Sequence, residues 1–469
     1  MNASVMNGFS GLRWLAIVLA FVPVAACSAV KVHEYTLENG MKVVVKEDHR
    51  APVVVSQVWY KVGSSYEHEG ISGISHMLEH MMFQGTRKYG PGEFSRIIAE
   101  QGGRENAFTG ADYTAYFETL EKNRLPIALE LEADRMRNLV LDPKEYAKEK
   151  EVVLEERRMR TDDRPHAKTR EYFMAVAYTN GPYRNPVIGW PADVANLTLE
   201  DLKAWYERWY APNNATLVVV GDVDPGKVIK LARHWFGPLE PSQIPPPKPR
   251  TEVEQLGERQ LKVETPAKLP FLMMGYKVPV LASLPDDRQW EAYALTVLAG
   301  ILDGGESARL ATRLIRGTQV AASAGAGYDL YDRLPTLFMF SGTPSQGHDL
   351  AELEQALRKE IENLQQQLAS VEELERVKTQ VTADAIYERD SMFYQAMQIG
   401  LLETVGLGWQ YLDQYVERVR QVTAEQVREV AKKYLVAEHL TIARLHPLPI
   451  KEGQRQVAPA IAPGGDHVR

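Results

Sequence analysis

Cys27 is the only cysteine in this 469-residue sequence, so no intrachain disulfide can form and stability must come from packed cores. Outside the N-terminal segment there is no run of eighteen apolar residues, and no membrane-spanning helix is expected in the body of the chain. Basic residues are outnumbered by acidic ones, giving a net charge of −8, and no basic stripe is present. That removes the electrostatic footprint of a nucleic-acid binder. With 25% charged and 45% hydrophobic residues the composition is that of a globular protein, too long for one ordinary core, so two domains or more are expected.

The first 29 residues read as a targeting segment: Arg13, then an almost wholly apolar stretch over 14–24, then small residues. Val24-Ala25-Ala26-Cys27 is similar to a bacterial lipobox, in which the cysteine becomes the lipidated first residue. Ordinary signal cleavage near Ala26 or Ala29 is the alternative. Either way the protein is expected to be exported, to the periplasm or to a lipid anchor facing it. That anchor would be its one attachment to a membrane.

His76-Met77-Leu78-Glu79-His80 carries the chemistry. On a helix, positions i and i+4 lie on one face, so both imidazoles reach one metal ion, and Glu79 reaches the same pocket. The order H-x-x-E-H reverses the commoner zinc-protease H-E-x-x-H. A chance match would sit on a solvated helix face. Here Ile71, Ile74, Met77, Leu78, Met81, Met82 and Phe83 mark a mostly buried helix, where two histidines and a glutamate without a shared partner would be costly. Catalytic zinc takes three protein ligands and keeps one position open, so a third ligand must come from elsewhere. The helix-forming stretch over residues 145–160 offers Glu149 and Glu156, seven apart on one face, with Val152 and Val153 between them. A solvated, salt-bridged helix accounts for Glu145, Lys148, Glu151 and Glu155 but not for apolar residues beside that stripe.

The chain also repeats. Residues 242–249, Ser-Gln-Ile-Pro-Pro-Pro-Lys-Pro, read as a stiff linker within a boundary at 242–250. A capped amphipathic helix from Thr198 followed by a strand from Thr216 aligns without a gap on a helix from Thr423 and a strand from Thr441, offset by 225 residues. Each half opens with strand-like alternation, over 41–45 and 53–62, then over 260–263 and 271–278. The expected architecture is α+β: two homologous domains, 32–241 and 251–450, each a mainly antiparallel sheet with helices packed on a face, followed by a disordered tail at 451–469. The second domain has no H-x-x-E-H; residues 290–302 stand where that helix should be.

These motifs resemble the M16 family of zinc peptidases (pitrilysin, insulin-degrading enzyme, mitochondrial processing peptidase), from about Val32 to about Pro447. Residues 63–86 follow its active-site signature. The resemblance implies a zinc metalloendopeptidase acting on extended peptides or unfolded polypeptides, with one zinc on His76, His80 and Glu156 and with Glu79 as general base. It implies that Glu149 supports the metal site, and that Asn106, Ala107, Phe108 and Thr109 form a strand beside the metal that binds substrate. Gly304-Gly305-Glu306-Ser307-Ala308-Arg309-Leu310 is similar to a family turn, after which an Arg and, seven residues on, a Tyr grip substrate. Arg316 fits the Arg, but the Tyr position falls at Ala322 or Ser323, and Tyr328 lies too far along. Such peptidases close a chamber from two halves of two domains each. The expected partner is therefore a homologous chain without the metal motif but with the Arg and Tyr pair, with a homodimer as the alternative. A non-catalytic assembly subunit of the same fold is the competing reading. It predicts loss of metal-site residues, yet all five are present.

Overall fold

The structure is a computed structural model that describes residues 31–246, 248 and 250–450; the expected targeting segment with Cys27, and the expected tail at 451–469, lie outside the described residues. The strands of the first half are β1 (Val32–Thr36), β2 (Lys42–Glu47), β3 (Val53–Tyr60), β4 (Arg104–Thr109), β5 (Thr114–Glu121) and β6 (Ala215–Gly221). Its helices are α1 (Ile74–Met81), α2 (Glu93–Glu100), α3 (Leu125–Asn138), α4 (Pro143–Arg157), α5 (Pro165–Ala177), α6 (Pro191–Asn196), α7 (Leu199–Trp209) and α8 (Pro225–Trp235). The second half has β7 (Arg259–Pro266), β8 (Phe271–Val278), β9 (Ala321–Gly327), β10 (Thr336–Pro344) and β11 (Leu440–Leu448). With them come α9 (Trp290–Asp303), α10 (Leu350–Gln366), α11 (Val371–Glu388), α12 (Met392–Val405), α13 (Tyr411–Arg420) and α14 (Ala424–Tyr434).

The first sheet runs β1-β2-β6-β3-β5-β4 and the second β7-β11-β8-β10-β9. Without β1, the two orders are the same order of equivalent strands. Each sheet holds one parallel pair, β2 with β6 and β7 with β11, and is otherwise antiparallel. The 225-residue offset read from the sequence carries α7 onto α14 and β6 onto β11, and both helices start with the same reciprocal cap. Thr198 accepts from the Asp201 amide and Thr423 from the Gln426 amide.

Both faces of each sheet are buried, not one face as the alternation suggested. In β6, Leu217 and Val219 enter a core formed with the first half's own helices, while Val218 and Val220 enter a second core on the opposite face. That second core is closed by Ala396 and Ile399 of α12, a helix of the other half. The exchange is reciprocal: Phe173 and Ala177 of α5 pack on Met273, Leu337 and Ala443 of the second sheet. By chain position α5 and α12 are equivalents, so each half lends the other the helix that covers its open face. The contact is close in both directions. A Cβ on Gly400 of α12 would stand 2.1 Å from the Trp59 indole, and one on Gly275 of β8 would stand 2.7 Å from the Phe173 ring.

Gly400→Val is therefore expected to destabilise the protein by about 2 kcal/mol or more through overpacking against Trp59. Urea denaturation reads this as a lower midpoint; an unchanged midpoint would show that α12 does not depend on this contact.

Candidate metal centre

α1 is a short helix that starts after Gly73, whose φ of +88° is left-handed and which has no side chain to cap the first turn. The cap comes from outside. The amides of Gly73 and Ser75 donate to the two oxygens of Glu67, at 2.7 and 2.9 Å. Glu67 is wholly buried, and burial pushes its carboxyl up to about 7 against the pull of those two amides. Asp193 accepts from the amide of Ser72 at 3.2 Å and from its hydroxyl at 2.5 Å, and a Cβ on Gly73 would lie 2.8 Å from the Gly189 backbone. Ile74, Met77, Leu78 and Met81 enter the first core. His76 and His80 are left to meet α4, and Glu79 to meet β4.

α4 begins at Pro143 behind the cap residue Asp142. Val153 is fully buried, whereas Val152 is 48% exposed and lies outside the apolar flank assigned to it from the sequence. With one rather than two valines facing inward, the inner face of α4 has room for the two carboxylates. Glu156 Oε2 lies 3.2 Å from His80 Nε2 and 3.7 Å from His76 Nε2. One ligand atom from each of these three residues falls within 4.8 Å of the others. Ligands about 2.0–2.1 Å from a tetrahedral zinc stand about 3.3 Å apart, so two of the three spacings bracket that value. His80 Nδ1 is 3.0 Å from Glu149 Oε2, and Gln84 Nε2 donates to the other Glu149 oxygen at 2.8 Å. Were His80 to ligate a metal, a carboxylate so placed would fix the orientation of the ring and raise its basicity. Arg160, beyond α4, donates to Glu156 Oε1 at 2.7 Å.

The electrostatics suit a cation. Burial opposes the charged form of Glu156, but the His80 hydrogen bond and the charges of His76 and Arg160 overcome it and hold the carboxylate at about 2. Burial likewise opposes a protonated His80, and the hydrogen bonds to Glu149 and Glu156 raise it to about 9. Glu79 is raised by burial and steadied by the Thr109 hydroxyl, which donates to its Oε2.

Thr109 thus holds the proposed base. β4 is the edge strand of its sheet, paired only with β5 among the described residues. Its alternation separates the four residues expected to bind substrate. Ala107 and Thr109 face the helices, but the Phe108 side chain is buried on the other side, edge-on to Trp59 at 5.3 Å, so only its backbone is left to meet a peptide strand. The Ala107 amide donates to Asn106 Oδ1 at 2.9 Å. Arg316 is bound to Glu306, its NH1 donating to Oε2 at 2.6 Å, so the structure ties it to a surface carboxylate rather than to the centre. The Tyr328 hydroxyl donates to the Pro279 carbonyl at 2.8 Å, and the missing Tyr stays missing. The sequence reading passed over Glu67, Gln84 and Arg160. Glu67 had a signal: a helix that opens on Gly73 has no side-chain cap of its own and must recruit one.

Two family models match the chain: insulinase (peptidase family M16) over residues 42–190, and peptidase M16 inactive domain over residues 196–381. Zinc protease PqqE of Helicobacter pylori is 35% identical over 392 residues, covering 81% of this chain and 85% of that one. The chain belongs to the M16 peptidase family. Its fold is that of a solved protease from Helicobacter pylori, with a TM-score of 0.84, 31% identity and coverage of 89% of this chain and 100% of that one. It also superimposes on the periplasmic protease PqqL of Escherichia coli with a TM-score of 0.75 at 18% identity, a likeness of fold that covers 93% of this chain and 52% of that one.

Two substitutions separate the roles of the acids. Glu156→Ala is expected to abolish stoichiometric zinc in metal analysis, and full occupancy would remove Glu156 from the ligand set. Glu149→Ala is expected to keep the site but weaken zinc about 10- to 100-fold in competition with a chelator.

Proposed function

We propose that this M16 chain is an exported zinc metalloendopeptidase that hydrolyses extended peptides or unfolded polypeptides. The observation that carries the reading is the convergence of His76, His80 and Glu156 beside Glu79, against the edge strand β4, whose outer side has no strand partner among the described residues. Zinc held by this set would supply a Lewis acid and a water of lowered pKa. Glu79 stands beside that set, where its carboxylate would take a proton from the attacking water and hand it to the departing amine. Thr109 occupies one Glu79 oxygen and fixes the carboxylate for both transfers. No side chain serves as nucleophile, so no covalent intermediate forms. The edge of β4 offers backbone pairing to a peptide strand, which suits sequence-tolerant binding and excludes compact folded proteins. The side chain of Asn106, which takes the Ala107 amide, must yield that donor if a peptide strand is to use it.

A non-catalytic assembly subunit is the second reading, favoured by the inactive-domain match over 196–381. That match falls mainly on the half without the motif, while every acid and imidazole of the centre stands in the other half. For the partner, the chain spans about half of PqqL, as expected of one half of a two-part chamber. A homologous chain without the metal motif but with the Arg and Tyr pair would complete it; a second copy of this chain is the alternative. Export rests on the apolar N-terminal segment, with lipidation at Cys27 or ordinary signal cleavage as its two outcomes.

Glu79→Gln is expected to retain zinc and lose at least about 100-fold in kcat, since general-base catalysis contributes about that much or more. Zinc-replete Glu79→Gln with wild-type turnover would eliminate the mechanism. For assembly, activity per zinc is expected to rise when the homologue is added. An isolated chain already at its maximal rate, unchanged by the homologue, would exclude the heterodimer.

A further inference from the structure

The turn between β4 and β5 places Asp112 where it is only 3% exposed. Both of its oxygens are engaged. Oδ1 accepts from the Ser65 hydroxyl at 2.6 Å and from Arg333 Nε at 2.8 Å, while Oδ2 accepts from the Tyr183 hydroxyl. Arg333 belongs to the second half, between β9 and β10. Its NH2 donates to Ser65 Oγ at 2.8 Å, its guanidinium stands 4.5 Å over the Tyr66 ring, and the next amide, that of Leu334, donates to the Tyr183 hydroxyl at 3.1 Å. One side chain of the half without the metal motif therefore joins two segments of the other half.

Those segments are already fused through their backbones. The Ser64 amide donates to the Gly110 carbonyl at 3.2 Å and the Ser65 amide to the Ala111 carbonyl at 2.8 Å; a Cβ on Gly63 would lie 2.3 Å from the Gly110 oxygen. Each segment leads directly to the centre. Two residues past Ser65 is Glu67, which caps α1 and so sets the position of the helix that carries His76, Glu79 and His80. Three residues before Asp112 is Thr109, whose hydroxyl holds Glu79. Arg250, at the end of the linker, also reaches this body, donating to the Glu67 carbonyl at 3.2 Å. The metal helix and the hydroxyl that orients Glu79 thus hang from one junction, whose Asp112 is paired with Arg333 from across the boundary between halves.

We propose that Arg333 is a positioning residue for the metal centre: through Asp112 and Ser65 it holds the 63–67 and 109–112 segments in the register that presents Glu79 to the site. It touches neither substrate nor metal. The proposal gives the half without the motif a part in the chemistry, and its activity arm rests on the peptidase reading above. A displacement on the order of 1 Å at a catalytic group can lower turnover about 100-fold.

The test compares the full chain with Arg333→Ala, Arg333→Lys and Ile399→Ala, the last weakening the contact of α12 with the back of the first sheet. Each is measured for melting temperature, for kcat and KM on a quenched extended peptide with zinc bound, and for cobalt(II) affinity and visible absorption spectrum. Arg333→Ala is expected to lower kcat at least about 10-fold with KM within about twofold, to change the cobalt spectrum, and to regain part of kcat with added guanidinium. Arg333→Lys, which cannot make both bonds in the same plane, is expected to be intermediate. Ile399→Ala is expected to lose comparable melting temperature with wild-type kcat and spectrum. Arg333→Ala with lowered melting but wild-type kcat and spectrum would overturn the proposal, as would an equal loss of kcat in Ile399→Ala. If the zinc-loaded parent cleaves no peptide either alone or with the homologue added, the peptidase reading fails by itself. The cobalt spectra then decide alone: a change confined to Arg333→Ala supports the positioning role, and unchanged spectra overturn it.

Discussion

A short helix that carries ionisable groups into a core is held only from outside itself, and the rest of the centre follows from how α1 is held. Eight residues are too few to be stable alone, and Gly73 denies the helix a local cap. Its N-terminus is fixed by a buried carboxylate from residue 67, and its polar face is fixed by two carboxylates from α4. Each of these contacts neutralises a group whose burial would otherwise be unfavourable. Position and chemistry are therefore one requirement: the same acids that make the helix tolerable inside the protein set the spacing of its imidazoles.

The exchange of α5 and α12 answers the question posed by a chain whose only cysteine lies outside the described residues. A single sheet with helices on one face would leave Trp59, Val218 and Val220 in water. Closing that face with the other half's helix makes the two cores interdependent. The glycines at 275 and 400 show how close the fit is, since neither site has room for one more carbon. Two halves that bury each other's sheets have little freedom to rotate. A rigid boundary is what allows a side chain such as Arg333 to act across it.

The parts of this arrangement that were legible in the sequence are those with a period or a local spacing. His76 and His80 show their common face at i and i+4, and Glu149 and Glu156 show theirs two turns apart on α4. The duplication was visible because α7 with β6 and α14 with β11 keep one offset. The sequence shows residues 106–109 as a strand beside the metal motif, but not which of their alternate side chains, Phe108 among them, would be buried against the other half. The inward valine of α4 could not be chosen from helix propensity, which is silent about direction. The apolar all-round pattern of α12 announces burial but not which sheet it is buried against. The Arg333–Asp112 pair joins residues 221 apart and leaves no pattern in either segment.

The second half shows what the first would be without its chemistry. There α9 and α11 take the places of α1 and α4 in chain order and also pack on each other. Where the first pair meets through imidazole and carboxylate, the second packs Gly300 on Val377, with a Cβ on the glycine only 2.7 Å from the valine methyl, and its polar contacts among the described residues are confined to Arg376 and Gln380 donating to carbonyls at the end of α9. α9 is nearly twice as long as α1, and Ala294, Leu295, Val297 and Leu298 are all fully buried. An apolar contact of that kind stabilises by area and shape and needs no partner charge. The polar contact in the first half is stable only while every one of its groups is paired. The half that carries the metal motif is thus the one with more to lose from small displacements, and the helix lent by the other half packs against the back of its sheet.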